Sequence, residues 1–141
     1  MAADNRRRRS GSAPARNQAS SRGLKSAFGW RRIFKALIYS MQGLRQAWRH
    51  EAAFRQEALV SLLLVPVAAW LADGVVDFVV LLAALLLVLL VELLNSAVEA
   101  VADAVSLEIR PLLGRAKDLG SAAVLVSMLI AAAVWYAVLA R

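Results

Sequence analysis

The chain has no cysteine, which removes a disulfide framework, a thiolate metal site and a cysteine nucleophile together. Its one histidine, His50, rules out a histidine-based metal cluster within a single copy. Neither a Walker A pattern nor a GxGxxG run occurs, so any nucleotide site must be built differently. Charge is missing over long distances. No Asp, Glu, Lys or Arg stands between Glu57 and Asp73, between Asp77 and Glu92, or from Leu119 to Ala140. With 60% hydrophobic residues and a mean hydropathy of +0.59 over 141 residues, the chain is too apolar for an ordinary soluble domain. An all-α integral membrane protein is expected.

The charge that is present is unevenly placed. Net charge is +7, and 13 of the 17 Lys and Arg lie at or before Arg55, opposed there only by Asp4 and Glu51. Because this basic region adjoins hydrophobic spans, it reads as a membrane-surface and topology signal and not as a nucleic-acid footprint. Residues 1–28 are rich in Arg, Ser and Ala without apolar periodicity and are expected to be disordered. No apolar stretch follows the RRRR run, which excludes a secretory signal peptide. The composition fits an organellar transit peptide loosely and a solvated cytoplasmic tail able to touch anionic lipid better.

The rest of the chain, 29–141, is expected to form one membrane domain. From residue 30 to 50, Trp30, Ile33, Phe34, Leu37, Met41, Leu44 and Trp48 recur in steps of three and four, with Arg and Lys between them. A basic helix with Trp at both ends of its apolar stripe is suited to lie in the headgroup plane. Three spans follow, at about 52–72, 78–102 and 119–140, the first containing Pro66, which should kink it. Trp70, Trp135 and Tyr136 sit where interfacial anchors belong. The N-terminal region and the loop 104–118 are basic, whereas the turn DGVVD at 73–77 has no cation. The positive-inside bias therefore puts the N-terminus in the cytoplasm and the C-terminus outside.

The second span breaks its own pattern. After the wholly apolar run FVVLLAALLLVLL it takes on Glu92, Asn95, Ser96 and Glu99, then Asp103. Positions 92, 95, 99 and 103 form one stripe. Glu92 lies about 21 Å along the helix from Phe78 and Glu99 about 10 Å further. A charged side chain at mid-bilayer costs about 2.5–3.5 kcal/mol on insertion scales, so the stripe must face a protein cleft. Glu51 and Glu57 before the first span, Arg115, Lys117 and Asp118 before the third, and Arg32 and Lys35 on the surface helix are expected at the same membrane face. Carboxylates with open coordination suit Mg²⁺ and cations suit phosphate, while a carboxylate held deeper is placed to act as a general base. The plainer alternative is that Glu92, Asn95 and Glu99 are polar glue between helices or subunits. His50 reads as an interfacial surface residue, Asp73 and Asp77 as brackets of a turn, and Gly114 and Gly120 flanking RAKDL as a weak phosphate-loop candidate.

Three segments carry a resemblance: EAAFRQE at 51–57, ELLNSAVEAVAD at 92–103 and GRAKDLGSAAV at 114–124, extended by RIFKALIYS and GLRQAW upstream. In this order and spacing they resemble the bacterial integral-membrane diacylglycerol kinases, over about Arg32 to Trp135. The resemblance implies an N-terminal amphipathic interfacial helix plus three transmembrane helices, assembled as a homotrimer in the bacterial inner membrane with a periplasmic C-terminus. It also implies transfer of the γ-phosphoryl of MgATP to diacylglycerol, giving phosphatidic acid. By the same resemblance Glu92 is the general base with Asn95 orienting it or the phosphoryl group, and Glu51 and Glu99 hold Mg²⁺. Glu108, Arg110, Lys117 and Asp118 meet the nucleotide. Arg32 and Tyr39 reach phosphate and the lipid entrance, while Gln56, Glu57, Trp70, Ser121 and Trp135 line the lipid side.

Two other activities fit parts of the pattern. Some homologues of such kinases phosphorylate undecaprenol instead. An ion- or proton-pathway subunit also carries intramembrane acids, but it calls for a polar stripe reaching both membrane faces. A purely structural oligomer-forming protein leaves unexplained why acids and cations meet at one boundary.

Overall fold

The computed structural model of the chain describes residues 17–106, 108 and 110–141 and consists, among these, of four helices without a strand: α1 (Asn17–His50), α2 (Ala52–Leu71), α3 (Val75–Val105) and α4 (Pro111–Leu139). The chain divides into two units, 1–41 and 42–141, with the boundary inside α1. Residues 1–16 of the expected disordered tail lie outside the described residues. The helix, however, already begins at Asn17, thirteen residues ahead of the apolar stripe. The reason is local. Residues 17–29 contain no proline, and extending an existing helix through Ala, Gln, Arg, Leu and Lys adds one bond per residue without a new nucleus. In the first unit Trp30, Ile33, Phe34, Leu37 and Met41 are all exposed along one face.

In the second unit α2, α3 and α4 are each long and apolar enough to cross a membrane. They outrun the uncharged stretches of the sequence. The expected loop 104–118 shrinks to the stretch between Val105 and Pro111, and Arg115, Lys117 and Asp118 fall within the first turns of α4. Pro111 explains the early start, since its fixed φ suits the first helical position and its missing N–H would be unpaired there anyway. Asp77, expected to bracket a turn, stands in the first turn of α3, where the helix dipole favours an acid. It accepts a 3.0 Å hydrogen bond from the Arg141 guanidinium, tying the chain end to the start of α3. Pro66 is accommodated inside α2, which continues to Leu71.

α3 is the central element, packing most extensively on α4 and less on α2. Its buried positions, Leu81, Ala84, Leu85, Val88, Glu92 and Ala102, recur in steps of one, three or four, except where Asn95 and Glu99 fill the gap. The facing stripe on α4 is Val124, Ser127 and Ala131. Ala84, Val88 and Ala131 form a small core against which Val134 and Trp135 pack. Small residues at this seam let two helices approach closely, which is how helices associate where no hydrophobic gain is available. The outward faces are apolar and open, with Leu63 72% and Trp70 83% exposed. A helical unit that buries so few of its large side chains is built to meet hydrocarbon or further helices.

Enlarging the seam should therefore be costly. Ala84→Leu is expected to destabilise the protein by about 1–3 kcal/mol, seen as a lower midpoint of thermal unfolding in detergent. An unchanged midpoint would show that α3 and α4 do not pack through this position.

Candidate functional site

The acids of α3 share the face by which that helix packs. Glu92 is only 3% exposed, and Asn95 and Glu99, one and two turns further on, are half-buried. A fourth polar group comes from the junction of α1 and α2. Glu51 is the single non-helical residue there, with an extended backbone (φ −100°, ψ 111°), and its amide donates to the Ala47 carbonyl at 2.9 Å. It occupies the N-cap of α2 but makes no side-chain capping bond, so its carboxylate stays available. Arg55 holds the junction from the other side. Its guanidinium donates to the carbonyls of Trp48 (3.1 Å) and Arg49 (3.3 Å), two of the acceptors left open at the end of α1.

These elements enclose an open cleft of about 490 Å³, lined by Glu51, Gln56, Glu57, Glu92, Asn95, Glu99 and Ser121, with Val124, Leu125 and Met128 as its apolar wall. Within it, the Asn95 amide nitrogen donates to Glu99 Oε1 at 3.1 Å. Glu57 Oε2, Asn95 Oδ1 and Ser96 Oγ are buried with no hydrogen-bond partner among the described residues. Buried polar atoms are seldom left unpaired unless a ligand, ion or other chain meets them. A second cavity of about 420 Å³ shares Gln56, Glu57 and Met128 with the first but is otherwise lined mainly by Val60, Leu64, Leu85, Val88 and Ala131. Polar and apolar compartments thus adjoin.

At the α3–α4 connection a smaller hollow of about 180 Å³ is lined by Asp103, Ser106, Glu108, Arg110 and Lys117 among others. Lys117 Nζ stands 2.6 Å from Asp103 Oδ1, and the Glu108 amide donates to Ser106 Oγ at 3.1 Å. Asp103 was visible in the sequence as the last acid of the stripe, but its pairing with Lys117 depends on how α4 folds back.

The structure thus gathers Glu51, Gln56, Glu57, Glu92, Asn95, Glu99 and Ser121 in one cleft, and Glu108, Arg110 and Lys117 in another hollow. Asp118 is exposed and lines neither. Arg32 and Tyr39 lie on the 1–41 unit, both exposed. Trp70 is on the outer face of α2 and lines none of these cavities, and Trp135 packs against the Ala84–Val88–Ala131 core instead. The resemblance places both on the lipid side together with Gln56, Glu57 and Ser121, whereas only those three line the cleft. The apolar wall, including Val88, Val124 and Met128, went unnoticed because it looks like any membrane-helix sequence. Among the described residues, no three acidic or histidine side chains are close enough to hold a metal by themselves.

Three apolar helices with a buried acid stripe opening beside an apolar cavity define a polytopic membrane protein with a polar site at one end of its bundle. The prokaryotic diacylglycerol kinase family model matches residues 38–139. A diacylglycerol kinase of Escherichia coli (strain K12) is 50% identical over 107 residues, covering 76% of this chain and 88% of that protein. One from Pseudomonas aeruginosa is 45% identical over 116 residues, 82% of this chain and 94% of its own length. One from Helicobacter pylori (strain ATCC 700392 / 26695) is 38% identical over 109 residues, 77% and 85% respectively. The chain belongs to the prokaryotic diacylglycerol kinase family and is a bacterial membrane protein.

Because the Lys117–Asp103 pair is exposed, it should contribute little to stability. Asp103→Asn is expected to leave the unfolding midpoint unchanged within error, and a marked drop would show instead that the pair ties α3 to α4.

Proposed function

We propose that the chain is a lipid kinase that transfers the γ-phosphoryl group of ATP to the hydroxyl of diacylglycerol, giving phosphatidic acid and ADP. The observation that carries this reading is that the acid-lined cleft adjoins the apolar cavity, the two sharing Gln56, Glu57 and Met128 in their walls. A substrate with one reactive hydroxyl and long acyl chains needs that combination. A soluble acceptor would have no use for the apolar compartment.

Glu92 is the general base in this reading. Buried in the wall of the acid-lined cleft, its carboxylate takes the hydroxyl proton as the lipid oxygen attacks the γ-phosphorus. A new phosphorus–oxygen bond forms, the bond from the γ-phosphorus to the β,γ-bridging oxygen breaks, and ADP departs. Glu51 and Glu99 would hold Mg²⁺, which when bound neutralises phosphate charge. The donor set fits: hard carboxylate oxygens, few in number and bordering open space, suit an ion that completes its shell with substrate phosphates and water. Asn95 steadies Glu99 through its amide. Lys117 and Arg110 are the cations available to nucleotide phosphate, with Glu108 beside them and Asp118 at the same end of α4. Arg32 and Tyr39 are assigned to the phosphate and lipid entrance by family resemblance. Gln56, Glu57 and Ser121 meet the lipid, and Trp70 and Trp135, also assigned to it by that resemblance, stand outside the two main cavities.

The basic N-terminal region and the cations around Arg115 support an orientation with the N-terminus and the α3–α4 connection in the cytoplasm, where ATP is, and the C-terminus in the periplasm. The inner membrane and a homotrimer complete the proposal, with neighbouring copies finishing each site. The unpartnered Glu57 and Asn95 atoms support that incompleteness.

The test is direct. Purified protein given MgATP and either diacylglycerol or undecaprenol should phosphorylate diacylglycerol preferentially, and preferential turnover of the prenol would sink the assignment of substrate. Glu92→Gln should lower kcat by about 10²- to 10⁴-fold with lipid-dependent ATP consumption lost in step. Normal turnover in that variant would mean Glu92 is not the base.

A further inference from the structure

We infer that Gly120 is a positioning residue of the site, whose missing side chain lets the Asn95 amide reach and hold the Glu99 carboxylate. This rests on the kinase reading of the cleft. Gly120 stands on the packing face of α4, followed along that face by Val124, Ser127 and Ala131. A Cβ built on it would overlap Asn95 Oδ1 and lie 3.4 Å from Asn95 Cγ and 3.8 Å from Asn95 Cα. At Gly43, Gly74 and Gly114 a Cβ would meet open space. Backbone conformation is not the reason for glycine at 120, because no glycine among the described residues has a positive φ. The requirement is room, and the three atoms nearest that space all belong to Asn95.

That room has a chemical consequence. The Asn95 amide is fixed at both ends: its nitrogen donates to Glu99 Oε1 at 3.1 Å, and its oxygen is buried against Gly120 with no hydrogen-bond partner among the described residues. Asn95 Cα belongs to the backbone of α3, so the helix itself cannot easily retreat from a side chain at 120. The side-chain amide must move instead, and moving it breaks the bond to Glu99. Both Asn95 and Glu99 line the cleft, so a methyl group on α4 reaches the proposed nucleotide end of the site without touching it directly.

A plain helix-packing glycine predicts something different. In a helix interior alanine is favoured over glycine, so without the contact Gly120→Ala should raise the unfolding midpoint. The experiment is a cycle of wild type, Gly120→Ala, Asn95→Ala and the double variant, each assayed for thermal unfolding and for kinetics with MgATP and diacylglycerol. Gly120→Ala should lower the midpoint and reduce kcat tenfold or more, while KM for diacylglycerol stays within twofold. In the Asn95→Ala background the same change should raise the midpoint and alter kcat less than twofold. A raised midpoint in both backgrounds, or an equal loss of kcat in both, would overturn the inference. If Gly120→Ala fails to fold, recovery of folding in the double variant supports the contact and continued failure refutes it. A wild type inactive on both diacylglycerol and undecaprenol would overturn the kinase reading itself, whereas equally active wild-type and Gly120→Ala proteins overturn only the role of Gly120.

Discussion

A carboxylate on a helix surrounded by hydrocarbon can be turned only toward protein or water, because neither its charge nor its hydrogen bonds are met by lipid. α3 carries two such groups and an amide, and most of the remaining architecture follows from where they must point. They occupy the same face as Leu81, Ala84, Leu85 and Val88, so the stripe by which α3 packs becomes, toward its C-terminal end, the stripe that carries chemistry. Packing and function therefore share one rotational setting of α3. A rotation that exposed Glu92 to lipid would also pull Ala84 and Val88 away from Ala131.

The seam changes character along its length for a physical reason. Where α3 offers Ala84 and Val88, α4 answers with Ala131 and Trp135, and the helices pack through a small apolar core. Nearer the acids, α4 presents Val124 and then Gly120, while Ser121 borders the cleft. Glycine stands where the Asn95 amide needs space. Glu51 enters this opening from a junction of one residue, with its backbone amide already engaged and its side chain excused from capping. Its approach to the cleft is thus set by two rigid helices, with Arg55 bonding back across the junction.

The three span-length helices and the helix ahead of them were legible because long uncharged runs and three-four periodicity are local properties of the chain. So was the stripe 92–95–99, since its spacing alone puts the groups on one side. Helix ends were less so. Arg115, Lys117 and Asp118 look like a loop to a hydropathy argument, yet charge does not stop a helix that Pro111 has started, and only the apolar span ends at such residues. The inner and outer tryptophans could not be separated either, because Trp70 and Trp135 have similar neighbours and differ only in which side of a helix meets another. Gly120 was read as part of a weak phosphate-loop pattern, and it stands instead within α4 against Asn95. That relation depends on the register between two helices, which no local spacing encodes.

Depth along α3 also separates the roles proposed for its two acids. Glu92 is almost fully buried and stands one helical step beyond Val88, a residue that lines the apolar cavity. Glu99 lies two turns further on, closer to the Lys117–Asp103 pair and held by Asn95. A proton acceptor for a lipid hydroxyl has to sit where the acyl chains remain in an apolar environment, which favours Glu92. A group that meets phosphates must be reachable from water and must tolerate permanent charge, which favours Glu99. Exchanging the two roles would draw the acyl chains toward the polar end or carry the triphosphate into the apolar one, and each move strips solvation without replacing it. In the proposed reaction, the order of the acids along one helix is therefore the order in which an amphiphile and a nucleotide can meet.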